Sequence, residues 1–279
     1  MYEIVHHELL APSVSRSRIR APEIARKRKA GQFVLVRIAE LGERVPLTIA
    51  DADVHEGTIT IVTQALGPST RAITAMKAGD FMLDVVGPLG NPTHIDRFGT
   101  VLCIGGGIGV APLYPIAQAM KGAGNRVISI LGARTRELLI LESEMRGVSD
   151  EVLVVTDDGT YGEKGLVTDA FRQLLARGER IDLVVTVGPV IMMQKVCEIT
   201  RERSIPAMAS LNPIMVDGTG MCGGCRVEVG GETKFACVDG PEFDGNLVNF
   251  EHLKQRLRMY EESERKRVGE GECNLNVSR

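Results

Sequence analysis

Four side chains late in this chain constrain it most: Asp217, Cys222, Cys225 and Cys237, spaced D-x4-C-x2-C-x11-C. Gly218, Gly220, Gly223 and Gly224 lie among them. Such a segment suits neither a core strand nor a helix. It suits a loop that folds closely round an inorganic centre and turns backbone N–H groups toward its ligands. The plant-type loop for a two-iron, two-sulfide cluster is C-x4-C-x2-C with a distant fourth cysteine. Here a carboxylate stands in the first position. The alternative is a structural zinc site, since zinc also accepts thiolates together with a carboxylate. Zinc ribbons, however, pair two C-x2-C knuckles, and this chain has one. On the cluster reading the chain moves electrons, and the remainder must supply their donor and acceptor.

The 279 residues, 44% of them hydrophobic, suffice for two or three domains. Net charge is −3, with Lys and Arg scattered among acids, so no nucleic-acid partner is expected. Apolar runs break well before the length of a membrane span. The stretch Met1–Glu8 lacks the basic-then-apolar layout of a secretory signal, and a cytoplasmic location is expected. Reduced thiols follow from that setting rather than three disulfides. Cys103, in the apolar run 100–104, and Cys197, in a helical stretch over 191–201, read as core residues. Cys273 stands in a charged tail without an assignment.

The first hundred residues alternate short β-branched runs with turns, as in Phe33–Ile38, Gly57–Thr63 and Phe81–Pro88. That pattern predicts an all-β barrel or sandwich. From residue 100 the pattern becomes strand, glycine loop and helix. Strands are predicted at 100–104, 126–131, 151–156 and 182–187, and helices at 114–121, 138–146, 166–176 and 191–201. Such alternation implies βαβ units and a parallel sheet. A charged helix over Phe250–Lys266 and a tail end the chain. The expected fold class is therefore α/β plus all-β. It comprises an antiparallel barrel over 1–98, a doubly wound nucleotide domain over 99–210, an iron–sulfur module over 211–250, and a helix and tail over 251–279.

The loop Gly105-Gly106-Gly107-Ile108-Gly109-Val110-Ala111-Pro112 follows a strand and opens a helix, the setting in which backbone N–H groups hold a pyrophosphate. Its plainer reading is a tight strand–helix turn. Arg134, Thr135 and Arg136 follow the second strand, where an adenosine ribose would sit. Two arginines with no acid at the strand end lean toward a 2′-phosphate and NADP(H), unless both are solvated surface charges. Asp157 and Asp158 after the third strand, and Gly188, Pro189 and Met192 after the fourth, are candidates for the nicotinamide pocket. In the barrel, Arg44 and Thr48 of Arg44-Val45-Pro46-Leu47-Thr48 suit a phosphate and the edge of a flavin ring. Gly67, Ser69 and Thr70 form a second phosphate cradle. Taken singly, each is an ordinary turn.

These three motifs in this order, the Arg-x-Pro-Leu-Thr segment, the Gly-Gly-Gly-Ile-Gly-Val-Ala-Pro loop and the late cysteine module, resemble the ferredoxin reductase-type electron-transfer subunits. That family includes the electron-transfer subunit of dihydroorotate dehydrogenase and the small subunit of NADH-dependent ferredoxin:NADP oxidoreductase, which also goes by sulfide dehydrogenase subunit. The resemblance spans Tyr2 to about Lys266. Aspartate at 217 resembles the ferredoxin:NADP type, because dihydroorotate-type subunits carry cysteine there.

The resemblance implies FAD between barrel and nucleotide domain, held by Arg44, Pro46, Leu47, Thr48, Thr63, Gly67, Ser69 and Thr70. It implies NAD(H) rather than NADP(H), against the leaning from the arginines. It also implies a larger glutamate-synthase-like flavoprotein partner with its own iron–sulfur clusters, through which ferredoxin is reached, and electron bifurcation by the assembly. No side chain is assigned as catalytic, because the cofactors carry the chemistry. At Asn249 such subunits tend to carry an acid. The competing classes are an electron-transfer subunit of dihydroorotate or sulfide dehydrogenase type, a stand-alone NAD(P)H–flavin reductase, and a zinc-stabilised binding module.

Overall fold

A computed structural model describes residues 1–260. The first third folds as an antiparallel sheet. Its strands are β1 (Tyr2–Ala11), β2 (Val14–Arg20), β3 (Phe33–Arg37), β4 (Val45–Asp53), β5 (Thr58–Gln64), β6 (Phe81–Met82) and β7 (Asp84–Leu89). Two short helices, α1 (Pro22–Lys27) and α2 (Pro68–Thr74), flank them. The order β6-β1-β2-β5-β4-β3-β7 curls into a nearly closed barrel. Alternation along β4 and β5 points Ile49, Ile59 and Ile61 inward, where they meet Ile4, Ile19, Val34 and Val36. Ala50 and Val62 point outward and pack with the next unit.

That unit starts with β8 (Thr100–Gly106) and α3 (Val110–Gly122), followed by β9 (Arg126–Ala133), α4 (Glu142–Val148), β10 (Glu151–Thr156) and β11 (Glu163–Lys164). It continues with α5 (Val167–Ala176), β12 (Leu183–Val187), α6 (Val190–Glu202) and β13 (Ala207–Ser210). The sheet order is β11-β10-β9-β8-β12-β13, parallel throughout. Chain order reverses between β8 and β12, the switch point at which open sheets of this kind bind ligands. α3 and α4 cover the face toward the barrel, and α5 and α6 cover the other.

The rest is small. A hairpin of β14 (Arg226–Val229) and β15 (Glu232–Phe235) is followed by β16 (Glu242–Asp244), which adds antiparallel to β13, and by α7 (Phe250–Leu257). The helix expected to reach Lys266 is α-helical to Leu257, with a 3-10 turn at Arg258–Tyr260. Its remainder, with Cys273 and the tail, lies outside the described residues. Two other helices differ from expectation. α3 begins at Val110, ahead of Pro112, whose missing donor is harmless in a first turn. The helix expected over 138–146 forms only from Glu142, after Leu141 adopts φ +55°. Leu139 instead is extended, and Leu139–Leu141 packs into the core beneath α3. Cys103 and Cys197 are fully buried, and burial pushes both thiols up to about 12.

Candidate functional site

The barrel sheet opens along one edge. β3 pairs with Val45–Thr48, whereas the β4–β5 ladder begins only at Ile49↔Ile61. Val45–Thr48 and Val62–Gln64 therefore face each other across an unpaired gap, with backbone N–H and C=O groups free on both rims. Thr48 lies on one rim. Thr63 lies on the other, its Oγ1 buried and without a hydrogen-bond partner among the described residues. Pro46 and Leu47 are half-buried there, and Arg44 is exposed at the mouth. A slot with apolar walls, hydroxyls and unpaired backbone groups fits a flat polar ring such as a flavin's.

At Gly67 an added Cβ would meet nothing within 4 Å, so the backbone is open to a ligand. Thr70, however, is committed locally. Its Oγ1 accepts the Leu66 and Gly67 N–H groups, both at 3.0 Å, and donates to the Gly67 carbonyl at 3.1 Å. Ser69 Oγ donates to Glu43 Oε2 at 2.8 Å. Of the expected cradle, the space over Gly67 is open, while its N–H and C=O and the two hydroxyls hold protein partners.

The glycine loop leaves β8 at the switch point. Each glycine answers a different contact. A Cβ at Gly106 would strike Met192 Sδ, and one at Gly109 would strike the Val187 carbonyl and lie 2.7 Å from Gly188 Cα. At Gly105 it would press on Val110 and Leu113 at 3.0 Å. Gly107 differs. Its φ is +55° and nothing lies within 4 Å of a Cβ, so it forms an open cradle. Val110, Ala111 and Pro112 then form the first turn of α3. Gly188, Pro189 and Met192 thus stand beside Gly105–Gly109. Thr186 Oγ1, buried and unpartnered in the strand just below, is a polar group the sequence did not single out. Only its place two residues before Gly188 could have marked it.

Asp157 and Asp158 lie elsewhere. The Asp157 N–H donates to the Ala133 carbonyl at 3.1 Å and the Asp158 N–H to the Arg134 carbonyl at 3.3 Å. This loop therefore abuts the Arg134–Arg136 turn, on the far side of β9 from Gly188, so the two loops expected to line one pocket stand apart. Thr160 ties the corner together, accepting the Arg136 N–H and bonding Asp158. The Thr160 N–H and hydroxyl hold the Asp158 carboxyl below the usual range. The Arg136 guanidinium lies 5.2 Å from the Tyr161 ring centroid, a cation–π contact, and Arg134 is exposed.

The cysteine loop rests on the barrel. Cys225 and Cys237 are buried against Phe33 and Met215, with Leu89, Phe235 and Phe243 around them. A Cβ at Gly218 would strike Leu35 and Leu89, so backbone and barrel meet there directly. The four ligand candidates fall into two pairs. Cys225 Sγ and Cys237 Sγ are 3.2 Å apart. Asp217 Oδ2 accepts the Cys222 N–H at 3.0 Å, and its Oδ1 accepts the Thr219 N–H at 2.9 Å. The Thr219 N–H, followed by that of Cys222, holds the Asp217 carboxyl below the usual range. Burial, then the neighbouring Cys225 thiol, pushes Cys237 up to about 12, opposed by a Gly220 N–H. Further N–H groups face sulfur, Gly224 to Cys222 Sγ at 3.4 Å and Cys237 to Cys225 Sγ at 3.5 Å.

Among the described residues, no three His, Cys, Asp or Glu side chains converge on one metal ion. The adjacent Cys225 and Cys237 thiols, with Asp217 and Cys222 tied together on the same loop, suit a two-iron core, with two protein ligands on each iron, better than a single zinc that needs all four at one point.

Glu242, which sequence reasoning passed over, lies at the joint of barrel, sheet and module. Its carboxyl sits over Gly31 beside Thr93, and both Glu242 Oε1 and Thr93 Oγ1 are buried without a satisfactory partner. Burial pushes this carboxyl up to about 7, opposed only by Thr93. With the folded value above the unfolded 4.5, the folded chain binds more protons between pH 4.5 and 7. Stability therefore falls as pH rises through that window, by about 3 kcal/mol at most. We expect Glu242→Gln to remove this decline. Denaturation midpoints measured from pH 4.5 to 8 should converge at the acid end and favour the variant at the basic end. Parallel curves would contradict the assignment.

Among the described residues no helix is long and apolar enough to cross a membrane.

Residues 212–249 match the family described as the iron-sulfur cluster binding domain of dihydroorotate dehydrogenase B, and residues 103–198 match the oxidoreductase NAD-binding domain. A Thermotoga maritima protein named dihydroorotate dehydrogenase B (NAD(+)), electron transfer subunit homolog, is 50% identical over 264 residues, covering 94% of this chain and 93% of that protein. The electron transfer subunit of dihydroorotate dehydrogenase B (NAD(+)) from Geobacillus thermodenitrificans is 34% identical over 254 residues, covering 88% and 96%. A solved structure of NADH-dependent reduced ferredoxin-NADP oxidoreductase, described for flavin-based electron bifurcation, aligns at a TM-score of 0.92. It shares 47% identity and covers 97% of each chain.

Proposed function

Because the chain belongs to the dihydroorotate dehydrogenase B family of electron-transfer subunits, we propose that it passes electrons between NAD(H), a bound FAD and a [2Fe–2S] cluster. Its setting on this reading is a bifurcating ferredoxin:NADP oxidoreductase. One observation carries the proposal. β3 separates the barrel slot from the cysteine loop, with Phe33 paired to Thr48 on one side and packed on Cys225 and Cys237 on the other. Neighbouring strands lie about 5 Å apart, so the two sites are a single strand from each other.

When bound, FAD supplies the exchange of one hydride for two single electrons, and the cluster a one-electron exit. The chain's own part is to bind, orient and shield. Thr48 and Thr63 offer hydroxyls to the ring edge from opposite rims, Pro46 and Leu47 exclude water, and Arg44 receives the pyrophosphate beside Gly67, where no side chain blocks its approach. Gly105, Gly106, Gly107 and Gly109, with the first turn of α3, take the nicotinamide nucleotide. Gly188, Pro189 and Met192 border its reactive end, and Arg134, Thr135 and Arg136 its adenosine end. Asp157 and Asp158 stand at that end too. Their carboxylates favour a ribose hydroxyl over a 2′-phosphate, which supports NAD(H) despite the two arginines. No side chain is needed to move a proton at carbon.

Asp217 with Cys222, and Cys225 with Cys237, would hold the two irons. On this reading the barrel, the parallel sheet and the cysteine module divide the work as FAD, nucleotide and cluster domains over 1–98, 99–210 and 211–250. Around the cluster loop, Val216, Met221 and Val238 are exposed, with Met221 at 88%. An apolar rim at an electron exit suits a larger flavoprotein subunit with its own iron–sulfur clusters. Aspartate at 217 and the 0.92 superposition favour the ferredoxin:NADP type over the dihydroorotate type.

Anaerobic titration of the full chain tests this reading. NADH is expected to bleach flavin and cluster absorbance together, at lower concentration than NADPH, and a co-expressed larger subunit should co-purify. A flavin that NADH bleaches without the cluster would contradict it.

A further inference from the structure

Only two residues, Gly223 and Gly224, separate Cys222 from Cys225, and a guanidinium holds the carbonyl of each. Arg226 Nη1 donates to the Gly223 oxygen and Arg256 Nη2 to the Gly224 oxygen, both at 3.0 Å. In a trans peptide the C=O and the following N–H point in opposite directions. Drawing the Gly223 carbonyl toward Arg226 therefore turns the Gly224 N–H the other way, where it meets Cys222 Sγ at 3.4 Å. Holding the Gly224 carbonyl fixes the Cys225 N–H in the same manner. A Gly-Gly pair, with Gly223 at φ +66°, has wide conformational freedom, so these peptides need an external restraint.

Arg256 comes from a firm base. Asn249 caps α7 by accepting the His252 N–H at 3.0 Å, and its Nδ2 donates to Glu228 Oε1 at 3.0 Å. An acid could not make that second bond, which accounts for asparagine here. Phe250 and Leu253 bury the helix against the core. Arg256 Nε is buried without a partner, so reaching the Gly224 carbonyl leaves one donor unpaired.

Resting on the two-iron reading above, we infer that Arg226 and Arg256 are positioning residues. They orient the turn's amides toward sulfur and, as cations, raise the reduction potential of the cluster held there. Both effects favour the reduced, more negative form.

The test uses the full chain purified anaerobically, with iron and acid-labile sulfide counted, the midpoint measured by EPR-monitored titration, and Fe–S stretching bands recorded in H2O and D2O. Arg226→Gln and Arg256→Gln are expected to lower the midpoint and shrink the deuterium-sensitive shift of the bands. Arg256→Lys, which keeps the charge and loses the planar fork, should recover most of the midpoint and little of the deuterium shift. Wild-type midpoints and bands in glutamine variants that retain full iron and sulfide would overturn the inference alone. Should Arg256→Gln lose its cluster, a wild-type midpoint and deuterium shift in Arg256→Lys would overturn it. Wild-type protein without acid-labile sulfide would overturn the two-iron reading and this inference with it.

Discussion

Cys237→Ala should leave a yellow protein that NADH still reduces but that has lost the cluster-dependent route by which electrons leave the flavin for a protein acceptor. Cys237 is buried beside Cys225 and packs on Phe33, so its loss removes one of the two ligands on the barrel side of the loop. Three remaining ligands leave one iron short of a thiolate, and a cluster so held should be lost. The barrel slot lies across β3 from the cysteine loop, so flavin binding should persist. Iron and sulfide should fall to background while flavin content stays near that of the wild type. The check is metal analysis with a flavin spectrum, followed by rates with NADH and a protein acceptor. Retention of full cluster absorbance would show that Cys237 is not a ligand.

Gly109→Ala should be strongly damaging to the nucleotide domain. The position has ordinary helical φ, −62°, so backbone strain is not the reason. The added methyl would fall on the Val187 carbonyl and beside Gly188 Cα. Val187 ends β12, which is fixed between β8 and β13 and cannot recede. Overpacking of this kind costs about 1–3 kcal/mol, and it displaces the loop that takes the nucleotide. We expect a melting temperature several degrees lower, with the NADH concentration for half-maximal flavin reduction raised roughly tenfold or more, equivalent to about 1.4 kcal/mol. Gly107→Ala is the control. Its methyl would meet open space, and the cost is that of φ +55°, about 1 kcal/mol, without a clash. Thermal melts and NADH titrations of both variants decide the matter. Equal behaviour would contradict the steric account.

Much of this architecture is local and therefore legible in the chain. The Thr100–Pro112 segment carries strand, glycine loop and helix within one βα unit, and β-branched runs broken at Gly or Pro announce the barrel. Metal-ligand spacing is local too, and Asp217, Cys222 and Cys225 arrive on one loop. What stayed hidden is long-range. Nothing near Phe33 says that its ring will meet Cys225 and Cys237, yet that contact joins the two redox sites. Arg256 reaches the Gly224 carbonyl from another element, and Glu242 acquires its burial only where barrel, sheet and module meet. Thr70 showed its hydroxyl but not its partners, because capping the turn before α2 competes with binding a phosphate. The stretch 138–146 read as helix by composition, whereas Leu139–Leu141 gains more by filling the core under α3. Asp157 and Gly188 follow neighbouring strands in chain order, and only the strand order β10-β9-β8-β12 shows that they stand apart.

Everything proposed for this protein stands on a diiron unit gripped by Asp217, Cys222, Cys225 and Cys237. It is tested most directly by counting metal and sulfide in the anaerobically purified chain. Iron and acid-labile sulfide are expected in equal amounts, two of each per chain for a [2Fe–2S] centre, with no zinc. Zinc near one per chain with neither iron nor sulfide would contradict it.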